Sequence, residues 1–369
     1  MRDELADSGF DAVIIGAGVV GTAIAAALSA RHRSVLVIER ARQEATGITS
    51  RNSGVVHSGL YYPQHSLRAQ TCIRGQELLY AWCERQAVPF ARLGKLVIAR
   101  GDAEARALEK LHANALASGV RDLRRISSAE IAKLEPALPP CDAALFSPNT
   151  GIVDAHALTR SLRAAAERKG AVFATGTRVD RLTAITTGIR VQSGEQSLIA
   201  RTLINAAGLD ADRLAATIGV RGFPIFPCRG DYFRLQGARD RYRHLIYPVR
   251  SAAATGLGVH LTLGLDGSVR LGPDAEYVDD REDFSPAPHK RSDFLRAAQR
   301  LLGPIDGERL HYESCGIRPK LRPPGDDHER DFVILEEPAG CVHLLGIESP
   351  GLTAALAIGE RIALSFSCS

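Results

Sequence analysis

The spacing of apolar and polar positions divides the chain into elements. "FDAVIIGAGVVGTAIAAALSARHRSVLVIER" reads as an apolar strand over Ala12 to Ile15, a glycine turn, a helix of small residues from Val19 to Ala30 and a second strand from Val35 to Glu39. That succession is a parallel βαβ unit at the start of the chain. "HSLRAQTCIRGQELLYAWCERQ" has helical spacing, with Leu67, Leu78, Leu79 and Trp82 as expected core positions. One further helix follows Asp102 and ends at Gly119; another opens on the capping box Ser127 to Glu130 and stops near Pro136. Asp154 suits the N-cap of a helix running to Lys169, and "GAVFATGTRVDRL", "GIRVQ" and "LIARTLINAAG" supply short strands. Between Arg221 and Asp280, "CRGDYFRL", "GLGVHLTL" and "GSVRLGP" alternate as half-buried antiparallel strands do. An amphipathic helix is expected over Arg291 to Leu302, before strand, turn and helix return in "CVHLLGIESPGLTAALAIGERIAL".

These elements predict α/β plus α+β architecture with two interleaved domains. A discontinuous Rossmann-like dinucleotide-binding domain takes 1–80, 146–218 and 310–369; a mainly antiparallel-sheet substrate domain takes 81–145 and 219–309. The length of 369 residues suits two domains at ~150 residues each.

Composition changes this picture little. With 45% hydrophobic and 24% charged residues the chain is of the soluble globular class. A net charge of +4 without a basic run argues weakly for an anionic ligand and against nucleic acid. The seven cysteines, at 72, 83, 141, 228, 315, 341 and 368, form no C-x-x-C pair, so neither a disulfide framework nor a metal site is expected, and a reducing, cytoplasmic compartment is the default. "MRDELADSGF" is acidic and the apolar run after it is broken by glycines; no signal peptide or membrane span is expected, and peripheral membrane contact stays open.

The chemistry begins at Gly16, Gly18 and Gly21, with Ala17, Val19 and Val20 between them, set between a strand and a helix as G-x-G-x-x-G. Glycine there permits a tight turn and close approach of backbone to a pyrophosphate, whose charge the helix N-terminus stabilises. Glu39, ending the next strand, suits both ribose hydroxyls and disfavours a 2′-phosphate.

Nucleotide-binding pieces at the start, middle and end of a chain are hard to match with a simple NAD dehydrogenase. The chain resembles the D-amino-acid-oxidase-like superfamily of FAD-dependent oxidoreductases in "VIIGAGVVGTAIAAALS", the pair Glu39 and Arg40, "TSRNSGVVHSGLYYP", "TRVDRL", "LINAAG", "CGIRP" and "GIESPGLTAALAIGE". Within it, "RNSGVVHSGLYYPQHSLRAQTC", "YPV", "GLGVHLT", "DGSVRLGPDA" and "SPGLTAALAIGE" are most similar to the L-2-hydroxyglutarate dehydrogenase (oxidase) branch. The resemblance implies non-covalent FAD, with Thr49, Ser50, Ser53, Gly54, Val55 and Val56 passing its pyrophosphate and ring. It implies that Val179 presents backbone to adenine, that Ala206, Ala207 and Gly208 let the chain pass close to the cofactor, and that Gly316 and Arg318 border it. Gly346, Ser349, Pro350, Gly351, Leu352 and Thr353 would set a helix N-terminus at the flavin's pyrimidine end, where oriented amides stabilise the negative charge of the reduced ring.

His57 and His260 are the candidate bases, each with a buried structural imidazole as its alternative; an imidazole titrates near neutrality and can accept a hydroxyl proton. Under the resemblance Arg318 pairs with the substrate carboxylate, for which guanidinium geometry is matched. Tyr61 and Tyr247 are candidate substrate donors or buried tyrosines, and Lys320 or Arg322 meets a second carboxylate or lies at the surface. Cys315 reads as a small buried residue, and His32, His65, His112 and His244 as solvated histidines. The implied reaction is oxidation of an L-2-hydroxy acid, foremost L-2-hydroxyglutarate, to the 2-oxo acid by hydride transfer to flavin N5. Its partners are that small carboxylate substrate and an electron acceptor that is oxygen, a quinone or an electron-transfer protein. Oxidation of an amino acid, a secondary amine or glycerol 3-phosphate is the alternative, and a non-catalytic FAD-binding assembly protein the reading from another class.

Overall fold

A computed structural model describes residues 9–31, 33–249 and 258–365. The expected acidic N-terminus, His32, Cys368 and the glycine that opens "GLGVHLTL" lie outside them.

The first sheet has six strands in the order Val333–Glu336, Cys341–Leu345, Leu203–Asn205, Ala12–Ile15, Val35–Glu39 and Val172–Thr175. All its pairings are parallel except that of Val333–Glu336. Its central strands are continuous apolar runs because both faces are covered, as a parallel sheet requires. The helix Val19–Ser29 packs against Ala155–Glu167 and Gly351–Ser365, and Leu67–Gln86 packs on Gly351–Ser365. The expected caps form: Asp154 accepts from Ala157 N–H, and Ser127 and Glu130 complete a capping box; Ser66, not singled out from sequence, caps Leu67–Gln86 by accepting from Ala69 N–H.

The second sheet has nine strands. Glu276–Tyr277, Phe226–Leu235, Val269–Gly272, His260–Leu263, Leu245–Pro248, Lys95–Ala99, Ala143–Ser147 and Arg124–Ser127 lie in that order, and Leu310–Lys320 pairs with Phe226–Leu235. Among the described residues only the pairing of Leu245–Pro248 with Lys95–Ala99 is parallel.

Four features depart from the expectation. The strand Leu310–Lys320, placed by sequence in the nucleotide-binding part, pairs along the whole of Phe226–Leu235 and so belongs to the second sheet. The boundary drawn between 145 and 146 cuts Ala143–Ser147, all of which lies in that sheet, and Leu67–Gln86 runs unbroken across the boundary drawn at 81. The segment "TRVD" is a loop; its strand starts at Arg181.

Register across the second sheet sets up the site. Ile246 pairs with Leu261 in antiparallel sense, so Tyr247 stands beside His260; on its other side Leu245 pairs with Lys95 and Tyr247 with Val97. Because successive strand residues alternate faces, His260, Tyr247 and Lys95 project from the same face on three adjacent strands.

Candidate active site

A cavity of about 1240 Å³ lies at the carboxyl ends of the parallel strands, lined there by Ile15, Glu39, Ala206 and Leu344, and reaches Tyr232, Tyr247, His260 and Arg318 of the second sheet. Ligands bind open α/β sheets at those strand ends.

Its nucleotide half is shaped by backbone. Gly16 has φ +102°, and a Cβ there would stand 2.5 Å from the Ala206 carbonyl oxygen; one on Gly21 would stand 2.0 Å from that of Gly16. Only hydrogen fits at either position. The helix that follows starts at the N-cap Gly18 without a capping side chain or an acid in its first turn, and Gly18, Val19 and Val20 line the cavity. Thr49 Oγ1 accepts from Val19 N–H at 3.0 Å. The Glu39 carboxylate is fixed by Ala17 N–H at 2.7 Å and Ala41 N–H at 2.9 Å, which leaves lone pairs for ribose hydroxyls. A helix end free of anions and a fixed carboxylate one strand away fit the pyrophosphate and ribose of FAD.

Most expected cofactor residues line this cavity, among them Arg40, Ser53, Val55, Val179, Ala207, Gly208, Gly316, Ser349, Pro350, Gly351 and Leu352. Ala17, Gly54, Val56, Gly346 and Thr353 are not among the lining residues. Neither is Ser50, whose hydroxyl turns back to the carbonyls of Thr46 and Gly47.

In the other half stand two imidazoles. His57 follows the short strand Val55–Val56, which pairs with Gly151–Val153. Its N–H donates to Thr353 Oγ1 at 3.0 Å and its Nε2 lies 3.3 Å from Ser349 Oγ, at the start of the helix Gly351–Ser365. Burial, then the charges of Lys95 and His260, hold its pKa well below the usual histidine range. His260 bonds the Gly258 carbonyl through Nδ1 at 2.8 Å and stacks on Tyr247 with ring centroids 3.8 Å apart. Burial lowers its pKa to about 3, Lys95 and Arg318 acting in the same sense and the Gly258 bond against it. Both rings are therefore neutral at pH 7. With Nδ1–H donated to a carbonyl, His260 Nε2 is an acceptor.

Arg318 lines the cavity and is held by carbonyls: Nε by Cys228 at 3.3 Å, Nη2 by Arg229 at 3.0 Å and by Asp274 at 2.6 Å. Among the described residues no carboxylate pairs with it, so the site positions its charge without neutralising it. The Asp274 loop is fixed in turn: its carboxylate accepts from Asp231 N–H at 2.7 Å and from Lys290 Nζ at 2.8 Å.

Lys320 and Arg322 are not at the surface. Both are buried, and Lys320 Nζ lies 3.0 Å from Glu348, which Arg68 meets at 2.7 Å. Burial alone would raise the pKa of Glu348; Arg68, Lys320 and Arg318 hold it at about 2. Lys320 is thus committed to Glu348 and is absent from the cavity lining. Tyr61 also lies outside that lining. His244, expected in solvent, is largely buried with Nδ1 2.7 Å from Glu135.

Sequence reasoning missed Tyr232, Glu348 and above all Lys95. Lys95 is 1% exposed and its pKa is lowered to about 7 by burial, with Cys72 acting weakly in the opposite sense. Its Nζ stands 5.0 Å from the ring centroid of Tyr61 and 4.8 Å from that of Tyr247. The available signal was a lysine opening the apolar strand "KLVIA".

A dinucleotide cradle that opens directly onto neutral imidazoles and an unneutralised arginine defines a flavin-dependent dehydrogenase or oxidase. The family model described as FAD dependent oxidoreductase matches residues 11–364, and the chain belongs to that family. It binds FAD and is an oxidoreductase. It is 34% identical to the mitochondrial L-2-hydroxyglutarate dehydrogenase of Arabidopsis thaliana, over 99% of this chain and 85% of that protein. To L-2-hydroxyglutarate dehydrogenase of Escherichia coli (strain K12) it is 30% identical, over 96% of this chain and 92% of that one. Among solved structures, dithionite-reduced L-alpha-glycerophosphate oxidase from Mycoplasma pneumoniae with FAD bound superposes with a TM-score of 0.87 at 25% identity, covering 96% of this chain and 94% of that chain. Glycine oxidase from Geobacillus kaustophilus, at a TM-score of 0.80, 20% identity and coverage of 96% and 93%, shares the fold. No helix among the described residues is long and apolar enough to cross a membrane.

Proposed function

We propose that the protein oxidises an L-2-hydroxy acid, L-2-hydroxyglutarate above all, to the 2-oxo acid. The observation that carries this is Arg318: a guanidinium fixed by three carbonyls, with no carboxylate of its own among the described residues, beside two imidazoles that desolvation keeps neutral. Bound FAD supplies the hydride acceptor. The protein supplies orientation and proton transfer.

Arg318 binds the carboxylate next to the carbinol carbon and so fixes which hydrogen faces the flavin. His57 takes the hydroxyl proton on its imidazole. Ser349 orients the ring at 3.3 Å and is hydrogen-bonded in turn to the half-buried Tyr62 phenol. His260 offers Nε2 as a fixed acceptor for the same hydroxyl, its tautomer set by Gly258. A carboxylate entering beside the two rings raises their pKa values, which makes them better bases with substrate present than without it. FAD is held non-covalently in this reading, since Cys315, buried within the strand Leu310–Lys320, is not among the cavity-lining residues. The enzyme works in the cytoplasm and passes electrons to oxygen, a quinone or an electron-transfer protein.

His57→Gln tests the proton step. The FAD-loaded variant is expected to bind L-2-hydroxyglutarate as the wild type does and to reduce its flavin ~10²–10⁴-fold more slowly. Equal reduction rates would remove His57 from the mechanism.

A further inference from the structure

Arg318 accounts for one carboxylate, and the residue first expected to meet a second, Lys320, is committed to Glu348. A different pair of side chains has neither of these claims on it. Tyr247 lines the cavity, is 1% exposed, and its hydroxyl has no hydrogen-bond partner among the described residues. Behind it, Lys95 is equally buried, and no carboxylate among the described residues forms an ion pair with it. A buried hydroxyl and a buried amine left without an anion are each costly, and side chains kept in that state are characteristic of ligand sites.

We propose that Tyr247 and Lys95 form the subsite for the second carboxylate of a dicarboxylic substrate. Tyr247 is the group that touches it, donating from its hydroxyl; Lys95 is a positioning residue that acts through the Tyr247 ring. The amine lies 4.8 Å from that ring's centroid, in a row in which His260 stacks on Tyr247 from the neighbouring strand. An arriving carboxylate favours the protonated amine, whose charge over the ring then makes the phenol a stronger donor and supplies a positive potential at low dielectric, where charge acts farthest.

The spacing agrees. The Arg318 guanidinium reaches the Asp274 carbonyl, two residues past Gly272, and Gly272 pairs directly with His260. Tyr247 is one strand beyond His260. Two strand spacings separate the ends by about 10 Å, a gap that a short diacid with a hydrogen bond at each end spans. The carbinol carbon then lies between the two ends, next to the imidazoles. The subsite deepens the hydroxy-acid reading by giving a diacid an advantage over a monoacid of equal length, and it rests on that reading for its substrate.

Two probes that cannot be oxidised at a carbinol, glutarate and valerate, test the subsite separately from turnover. Their binding to FAD-loaded protein is read from the flavin absorption spectrum. The wild type is expected to prefer glutarate by about 10–100-fold, the scale of a hydrogen bond to an ionised group. Lys95→Met and Tyr247→Phe are each expected to lose most of that preference with valerate affinity unchanged, and Lys133→Met, on an exposed helix, to keep it. The Phe variant removes only an unbonded hydroxyl, so it folds even if the Met variant does not. A wild type that binds the two acids alike, or a preference that survives Tyr247→Phe, overturns the proposal. If glutarate selectivity depends on Tyr247 and Lys95 but no 2-hydroxy acid reduces the flavin, the subsite stands and the hydroxy-acid reading falls.

Discussion

Replacing Lys95 by methionine removes a buried amine that faces the Tyr61 and Tyr247 rings and whose charge reaches His57, His260 and Cys72, and it keeps most of the packing volume. In the folded protein burial lowers the amine from its ordinary 10.5 to about 7. Unfolding returns it to the ordinary value, so between about pH 7 and 10.5 the unfolded chain holds a proton that the folded chain lacks. Stability then rises with pH through that window. Three and a half pH units at 1.36 kcal/mol each correspond to about 5 kcal/mol. The cost of burying the charge is fully present below pH 7 and has gone by about pH 10.5. Lys95→Met escapes it at every pH, so its advantage over wild type is expected to be several kcal/mol near pH 6.5 and to vanish toward pH 10. Urea unfolding of both proteins, with FAD saturating, measures this, since the titrating groups that the Lys95 charge does not reach are common to the pair and cancel. Parallel stability profiles from pH 6.5 to 10 would refute the reasoning and place the amine in water.

Other perturbations have separate readouts. Arg318→Met is expected to raise the KM for L-2-hydroxyglutarate by about 10²-fold, the equivalent of ~3 kcal/mol for charge-assisted hydrogen bonds, with the FAD spectrum retained. Glu348→Gln leaves Arg68 and Lys320 buried without their shared anion and is expected to destabilise by about 3–5 kcal/mol in thermal or urea unfolding. In the wild type that carboxylate, held at about 2, contributes stability above its ordinary 4.5 and loses it as pH falls toward 2; the variant lacks this component of acid sensitivity. Gly16→Ala meets both a φ of +102° and a carbonyl 2.5 Å from the new Cβ. It is expected to yield colourless protein on purification, read from the flavin-to-protein absorbance ratio.

Local signals made the nucleotide half legible. Gly16, Gly18, Gly21 and Glu39 lie within one βαβ unit, where a turn, a helix start and a strand end each leave a mark in neighbouring residues. The substrate half depends on pairings between distant segments. Leu245–Pro248 is four residues long and gains its identity from Lys95–Ala99 and His260–Leu263, neither of which adjoins it. Leu310–Lys320 contains a Cys-Gly-Ile-Arg-Pro run without strand alternation, to which the sequence assigns no element, and it is a strand because Phe226–Leu235 offers a partner along its whole length. For the same reason Lys320 looked like a surface charge: Glu348 and Arg68, which surround it, arrive from two other parts of the chain. Lys95 opens a strand, where a lysine ordinarily marks the solvent edge; only the register with Tyr247 and the position of Tyr61 enclose it.

The central claim is that Arg318 and the neutral imidazoles present an L-2-hydroxy acid to FAD. Anaerobic titration of the FAD-loaded protein with L-2-hydroxyglutarate tests it most directly, with flavin absorbance followed and the organic acid product assayed. The expected result is bleaching of the long-wavelength flavin band with one 2-oxoglutarate formed per flavin, and no bleaching by the D enantiomer. A fully loaded protein whose flavin stays oxidised with L-2-hydroxyglutarate, while an amino acid or glycerol 3-phosphate reduces it, would contradict the account.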